Sequence, residues 1–178
     1  LVRSRGLGDV YKRQGQADLA LGVALEQHMT ADIQHSVLGD VPFVFAVAPH
    51  HPLATAPEPL SNALLAQHRM VAVADSVQRG SGLTVGLQGG QDVFTVPDMT
   101  SKVQAQLRGM GVGFLPQSLA MPHVALGQLV IKPTESPRLS TVHAAWRDSC
   151  LSPAGKALRW WTTQLDKSAT RQALLGQT

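Results

Sequence analysis

The apolar residues of this chain fall into short continuous runs separated by polar, glycine-rich or proline-rich stretches. Pro42-Phe43-Val44-Phe45-Ala46-Val47-Ala48-Pro49 carries the clearest strand signal. It is continuous, aromatic and β-branched, with a proline at each end where a missing ladder donor matters least. Unbroken rather than alternating apolarity predicts burial on both faces. Further strands are expected over 17–23, 70–74, 93–96, 112–116, 128–131 and 141–146. Residues 24–36 read as polar and irregular, the segment from His51 to Pro59 as a proline-rich loop, and the five glycines of 78–91 leave that stretch unassigned.

Helical spacing appears between these runs. Leu60, Leu64 and Leu65 predict a short helix over 60–68. Asp98 is a candidate N-cap for a helix whose apolar stripe is Met99, Val103, Leu107 and Met110, with Gly109 and Gly111 as its stop. A second helical piece over 117–126 carries its own proline. Ser152-Pro153 is expected to open the last helix as N-cap and N1, with Leu158, Trp161 and Leu165 on its buried face. The segment after Lys167 carries no clear pattern. Strands alternating with helices predict an α/β fold with mainly parallel sheets.

Composition narrows the picture less than it first promises. The length of 178 residues fits one domain or two small lobes, with 44% apolar residues to fill a core. No apolar run reaches the roughly 18 residues a membrane helix needs, and no secretory signal pattern opens the chain. The single Cys150 excludes an internal disulfide and suits a reducing, cytoplasmic setting. A net charge of +3 invites a nucleic-acid reading. Yet residues 1–14 hold Arg3, Arg5, Lys12 and Arg13 against Asp9 alone, and the rest of the chain balances at eleven charges of each sign. All of the excess sits in fourteen residues.

Those residues read as foreign. Ser4-Arg5-Gly6-Leu7-Gly8-Asp9-Val10-Tyr11-Lys12-Arg13-Gln14 resembles a translated transposase adapter of the kind used to prepare sequencing libraries. A natural basic arm is the competing reading, although the segment lacks an apolar period. Residues 1–14 are therefore set aside as adapter-derived, and the natural sequence is expected to begin near Gly15.

From Gly15 onward, four segments in order resemble the effector domain of LysR-type transcriptional regulators. Gly15-Gln16-Ala17-Asp18-Leu19-Ala20-Leu21 is similar to the family's "G-x-x-D-L-A-I" strand. Phe43 to Ala54 ends in His51-Pro52-Leu53-Ala54, similar to its "H-P-L-A" loop. Gln106 to Pro116 is similar to "V-x-x-G-x-G-I-x-x-L-P". Ala145-Trp146-Arg147, followed by Ser152-Pro153 and a tryptophan-bearing helix, resembles the closing strand and helix. The single elements are loose, and their order and spacing carry the resemblance.

The resemblance implies an α/β, two-lobed fold like type 2 periplasmic binding proteins, incomplete at its N-terminus. Lobe one would comprise 15–75 and 139–166, lobe two 76–138, and 167–178 a tail. The strands crossing between lobes are expected near Met70–Ser76 and Leu139–Ala145. A small effector would bind between the lobes. The family's DNA-binding domain is expected to precede this chain, so DNA would be met only through that missing part, in a homo-oligomeric full-length protein. Without the first segments of lobe one, the isolated fragment is expected to fold poorly.

Candidate site residues follow from chemistry and from this resemblance. Asp98, Met99, Thr100 and Ser101 lie at a helix start, where free N–H groups favour an anion such as a carboxylate effector; plain capping by Asp98 is the alternative. Pro49 and His50, at the end of a strand, and Val112, Gly113 and Phe114, after the glycine turn, are the other candidate effector contacts. Gly109, Gly111 and Gly113 follow a helix rather than precede one, the wrong order for a dinucleotide loop. His50-His51 lacks a third metal ligand, and the histidines at 28, 35, 68, 123 and 143 lack ligand spacing. Ser81 reads as a loop serine and Cys150 as a loop residue. Trp160 and Trp161 cannot share one helix face, so one is expected in the core and the other against a partner subunit.

No nucleophile elbow, carboxylate pair or zinc motif is present, so neither catalysis nor a cofactor or metal is expected. The expected function is effector sensing by a LysR-type regulator without membrane association. A periplasmic-type solute-binding protein and an α/β enzyme are the alternatives. The identity of the effector, and whether the regulator activates or represses, are not written in the sequence.

Overall fold

A computed structural model describes residues 19–23, 33–74, 87, 89–147 and 155–176. In chain order the elements are β1 (Leu19–Val23), β2 (Ile33–Val47), α1 (Asn62–Leu65), β3 (Met70–Val73), β4 (Val93–Val96), α2 (Met99–Leu107), β5 (Gly113–Pro116), α3 (Gln117–Ala125), β6 (Val130–Ile131), β7 (Arg138–Arg147), α4 (Lys156–Leu165) and α5 (Ser168–Leu175). The chain divides into two compact units, one of residues 1–41 and 140–178 and one of 42–139. Strands β2 and β7 each run from one unit into the other. The first change of unit falls at Val41/Pro42, not at 70–76, because Met70–Val73 is interior to the second unit.

In the second unit, β2 is an antiparallel strand with neighbours on both edges. Ala46 stands opposite Gly113 of β5 and opposite Ile131 of β6. Its side chains alternate between two cores, as the two-residue period of a strand requires. Phe45 and Val47 enter a cluster with Leu53, Leu60, Leu65, Met70, Val112 and Phe114. Ala46 enters another with Val103, Leu115, Ala120 and Leu129. The unbroken apolar run of this strand is thus explained by two covered faces, as expected. The pairing is antiparallel where a parallel sheet was expected, since burial on both faces constrains composition and not strand direction.

Among the described residues, parallel pairing is confined to β3 with β4, from Met70↔Val93 to Val73↔Val96, and to bridges at Met70↔Val112 and Leu60↔Thr134. An ion pair, buried on its lysine side alone, ties the loop before α1 to the residue that follows β6. Lys132, 6% exposed, places its ammonium 2.5 Å from the Glu58 carboxylate and 3.0 Å from the Ala56 carbonyl. Gln91 adds two side-chain donations, to the carbonyls of Leu65 and His68 at 2.7 and 2.9 Å.

In the first unit β1 pairs antiparallel with β7, from Leu19↔Trp146 to Val23↔Val142, and β7 neighbours β2. The Thr141 hydroxyl donates to the Asp40 carboxylate at 2.6 Å. Two expectations fail here. Residues 33–36 belong to β2 rather than to an irregular stretch, and 168–175 form a helix rather than a tail. Both segments are polar on average, and both are stabilised by contacts distant in sequence. Leu175 packs with Leu38, Ala144 and Leu165, and a side chain at Gly39 would meet the Leu175 methyl at 2.7 Å. Trp161 is also not core: Leu158 and Leu165 are buried, while Trp160 and Trp161 are 57% and 40% exposed and stack edge to face at 5.2 Å.

The expected Ser152-Pro153 cap, residues 17–18, 24–32, 78–86 and 88, Ser81 and Cys150 lie outside the described residues. Truncating Leu175 to Ala should destabilise the chain by about 2 kcal/mol in urea unfolding, as expected for a buried leucine; a loss near zero would return 168–175 to the status of a tail.

Candidate functional site

The candidate residues converge on α2 and the strand that follows it. Asp98 adopts an extended conformation and its carboxylate accepts the Ser101 N–H at 2.7 Å. Hydrogen bonds from Ser101, first backbone and then side chain, hold this exposed carboxyl below its usual range. The simple capping role therefore accounts for Asp98. Thr100 is exposed and Ser101 half-buried, so the hydroxyl of Thr100 remains accessible at the helix start.

At the other end, Gly109 takes a left-handed conformation with φ +68°, closing the helix with Gly109 N–H on the Gln106 carbonyl at 2.9 Å and Met110 N–H on the Ala105 carbonyl at 3.0 Å. His50 lies against this turn, its imidazole occupying the space a side chain at Gly109 would need. A nine-residue helix is about 13 Å long, so Pro49 and His50 stand a helix length from Thr100. The structure does not bring these two groups together. Gly113 is buried beneath α2, while Val112 enters the cluster of Phe45, Met70 and Phe114. Phe114, the next residue of β5, packs on the other face of the strand, edge to face with Phe45 at 5.2 Å and beneath the Arg138 guanidinium at 5.6 Å.

His51 serves its own turn, its Nδ1 accepting the Leu53 N–H at 3.2 Å while its ring meets His68 at 5.1 Å. Desolvation, then the charges of His68 and His50, holds it below the usual imidazole range. Among the described residues no three His, Cys, Asp or Glu side chains could share a metal ion.

The inner face of α2 differs from the expected stripe. Met110 lies beyond the helix and is exposed, and the buried helical residues are Lys102, Val103, Ala105 and Gln106. Lys102 is 4% exposed and Gln106 fully buried. They are one turn apart, at the i, i+4 spacing that puts two side chains on one face. Both reach over Gly113: a side chain there would meet Gln106 Nε2 at 3.0 Å, Met70 Sδ at 3.1 Å and Lys102 Cε at 3.4 Å. Neither Nε2 nor Oε1 of Gln106 has a hydrogen-bond partner among the described residues. Lys102 forms no ion pair there either, and desolvation pushes its pKa down to about 8. An unmet buried amide costs about 1–3 kcal/mol. The contrast with Lys132, equally buried but held by Glu58 and Ala56, shows what a satisfied lysine looks like in this fold.

Sequence reasoning missed this pair. A signal existed: Gln106 stands where the motif "V-x-x-G-x-G" has valine, and a lysine precedes it by four residues.

These features define an α/β chain built from two units, and comparison with known proteins says to which family it belongs. Residues 9–167 match the family model of the LysR substrate binding domain, a match that begins within the segment read as adapter-derived. Over 153 residues the chain is 35% identical to the HTH-type transcriptional regulator YeeY of Escherichia coli, spanning 85% of this chain and 48% of that protein. It is 38% identical over 112 residues to the HTH-type transcriptional activator AllS of Klebsiella pneumoniae, spanning 63% of this chain and 42% of that one. The regulatory domain of MetR, a LysR family regulator from N. meningitidis, has the same fold, with a TM-score of 0.69 at 18% identity, covering 93% of this chain and 74% of that one. The chain belongs to the LysR family of transcriptional regulators, within which it supplies the effector-binding domain. It spans about half the length of these relatives. Among the described residues no helix is long and apolar enough to cross a membrane.

The Lys102 shift fixes the sign of a pH effect. An unfolded lysine titrates near 10.4, so between pH 8 and that value the unfolded chain binds more protons and stability rises with pH; below pH 8 the penalty of the buried charge is fully present. Denaturant unfolding of the wild type should therefore show a gain of about 2 kcal/mol from pH 7.5 to 9.5, and Lys102→Met should be more stable at pH 7.5 and flatter across the range. Parallel pH profiles for the two proteins would show that Lys102 is solvated or paired.

Proposed function

We propose that this chain is the sensing part of a cytoplasmic transcription regulator that answers a small anionic effector. The match of residues 9–167 to the LysR substrate binding domain carries this reading. A sensor needs only different affinities for an effector in two states of the protein, with no nucleophile and no cofactor. The segment contacting DNA would lie outside this chain, and the whole regulator would be a homo-oligomer. The relatives are transcriptional regulators rather than transport proteins or enzymes, which favours this reading over a solute-binding protein.

Within the second unit, the effector contacts we propose are the hydroxyls of Thr100 and Ser101, beside Met99 and the Asp98 cap, with Gly113 beneath the same helix and Val112 on the face that carries Phe114. Two hydroxyls at a helix start donate to a carboxylate while the helix dipole favours its charge. Pro49, His50 and Phe114 would belong to the surroundings of this contact rather than to the contact itself, given their separation from Thr100.

In a reporter strain expressing the whole regulator, Thr100→Ala with Ser101→Ala should raise the effector concentration for half-maximal response roughly tenfold, the equivalent of one or two lost hydrogen bonds. A melting measurement on the same variant separates this from loss of the Ser101–Asp98 cap. An unchanged dose response with the fold intact removes the two hydroxyls from the site.

A further inference from the structure

We infer that Lys102 and Gln106 are the specificity-determining pair of this domain, and that they select a small monocarboxylate bearing a hydroxyl or amine next to the carboxylate. The inference rests on the sensing reading above and names the ligand class for it. Both side chains are more than nine-tenths buried, lie one turn apart on α2 and meet over Gly113, where the absence of a side chain leaves them room. Neither amide atom of Gln106 finds a partner among the described residues, and desolvation alone, with no charged neighbour, shifts Lys102. A third residue of this face, Val103, belongs to the apolar core, so the two polar groups interrupt a surface that otherwise packs.

The donor set defines the ligand. An ammonium offers only donors, and a carboxamide offers donors on nitrogen and an acceptor on oxygen. A carboxylate can accept from Lys102 Nζ and from Gln106 Nε2 together. That leaves Gln106 Oε1, which only an N–H or O–H can satisfy, so the ligand must bring one beside its carboxylate. Exchanging the amide nitrogen and oxygen changes nothing, since both are unpartnered. A single cation matches a single negative charge. A dianionic phosphate would bury one charge uncompensated, which is costly in a desolvated site. Valine at the corresponding place of the family motif could offer none of this, so position 106 is where this chain departs toward a polar ligand.

The test is calorimetric titration of the purified whole regulator, as wild type, Lys102→Met and Gln106→Val, with L-lactate, propionate, lactamide and inorganic phosphate as probes. The wild type should bind lactate roughly tenfold tighter than propionate, which lacks the hydroxyl, and should bind lactamide and phosphate more weakly than either acid. Lys102→Met should lose both acids. Gln106→Val should keep propionate and bring lactate down to the same affinity. Each substitution replaces an unpartnered polar group with an apolar one of similar size, so melting points at or above the wild type separate lost recognition from lost fold. No lactate binding by the wild type, tighter phosphate than lactate, or a lactate preference retained in Gln106→Val overturns the assignment. The reporter strain distinguishes the two levels. Variants that keep a full effector response sink the pair alone, whereas a wild-type regulator that answers no small molecule sinks the sensing reading with it.

Discussion

The strand β2 must be covered on both faces, and most of the described structure exists to meet that demand. Phe45 and Val47 need one core and Ala46 another, so α1, β3 and the loop around Leu53 pack on one side while α2 and α3 pack on the other. The two edges of the strand need ladder partners, which β5 and β6 supply at Ala46. In the first unit the beginning of the same strand neighbours β7, and Leu38 is closed over by α4 and α5. Buried area of this kind stabilises at roughly 25 cal/mol per Å², and it is why α2 is pressed against Gly113 closely enough that no side chain fits there.

That pressure explains the chemistry of α2. Packing a helix against a strand buries whatever its inner face carries. Here the face carries a lysine and a glutamine beside Val103 and Ala105. The desolvation that depresses the Lys102 pKa is a direct consequence of the apolar packing around it. Lys132 shows the alternative solution, in which the fold brings a carboxylate and a carbonyl to a buried ammonium. The two buried lysines of this unit thus meet opposite surroundings, one paired and the other only desolvated.

Much of the architecture was legible residue by residue. The run at 42–49, the Asp98 cap, the glycine stop at 109 and the strands at 70–74, 93–96 and 112–116 follow from local pattern, because caps, turns and apolar runs report on their own few residues. The four ordered segments that resemble the LysR effector domain pointed to the family that the comparisons establish. The candidate site was legible only in part. Asp98, Thr100 and Ser101 cluster at one helix end as expected, but His50 and Phe114 are placed elsewhere, and Lys102 with Gln106 escaped notice because polar residues on a helix are normally assigned to its solvent face.

What the sequence by itself determined is local: where strands and helices lie, where they stop, that the basic excess belongs to the first fourteen residues, and which family the ordered motifs resemble. Strand direction, the point where β2 passes from one unit to the other, the helix at 168–175 and the burial of Lys102 and Gln106 were decided by tertiary structure. The physical reason is common to all four. Each depends on contacts between residues distant in sequence, and whether a polar side chain meets water or a desolvated core is a property of what packs over it, which no local pattern of residues records.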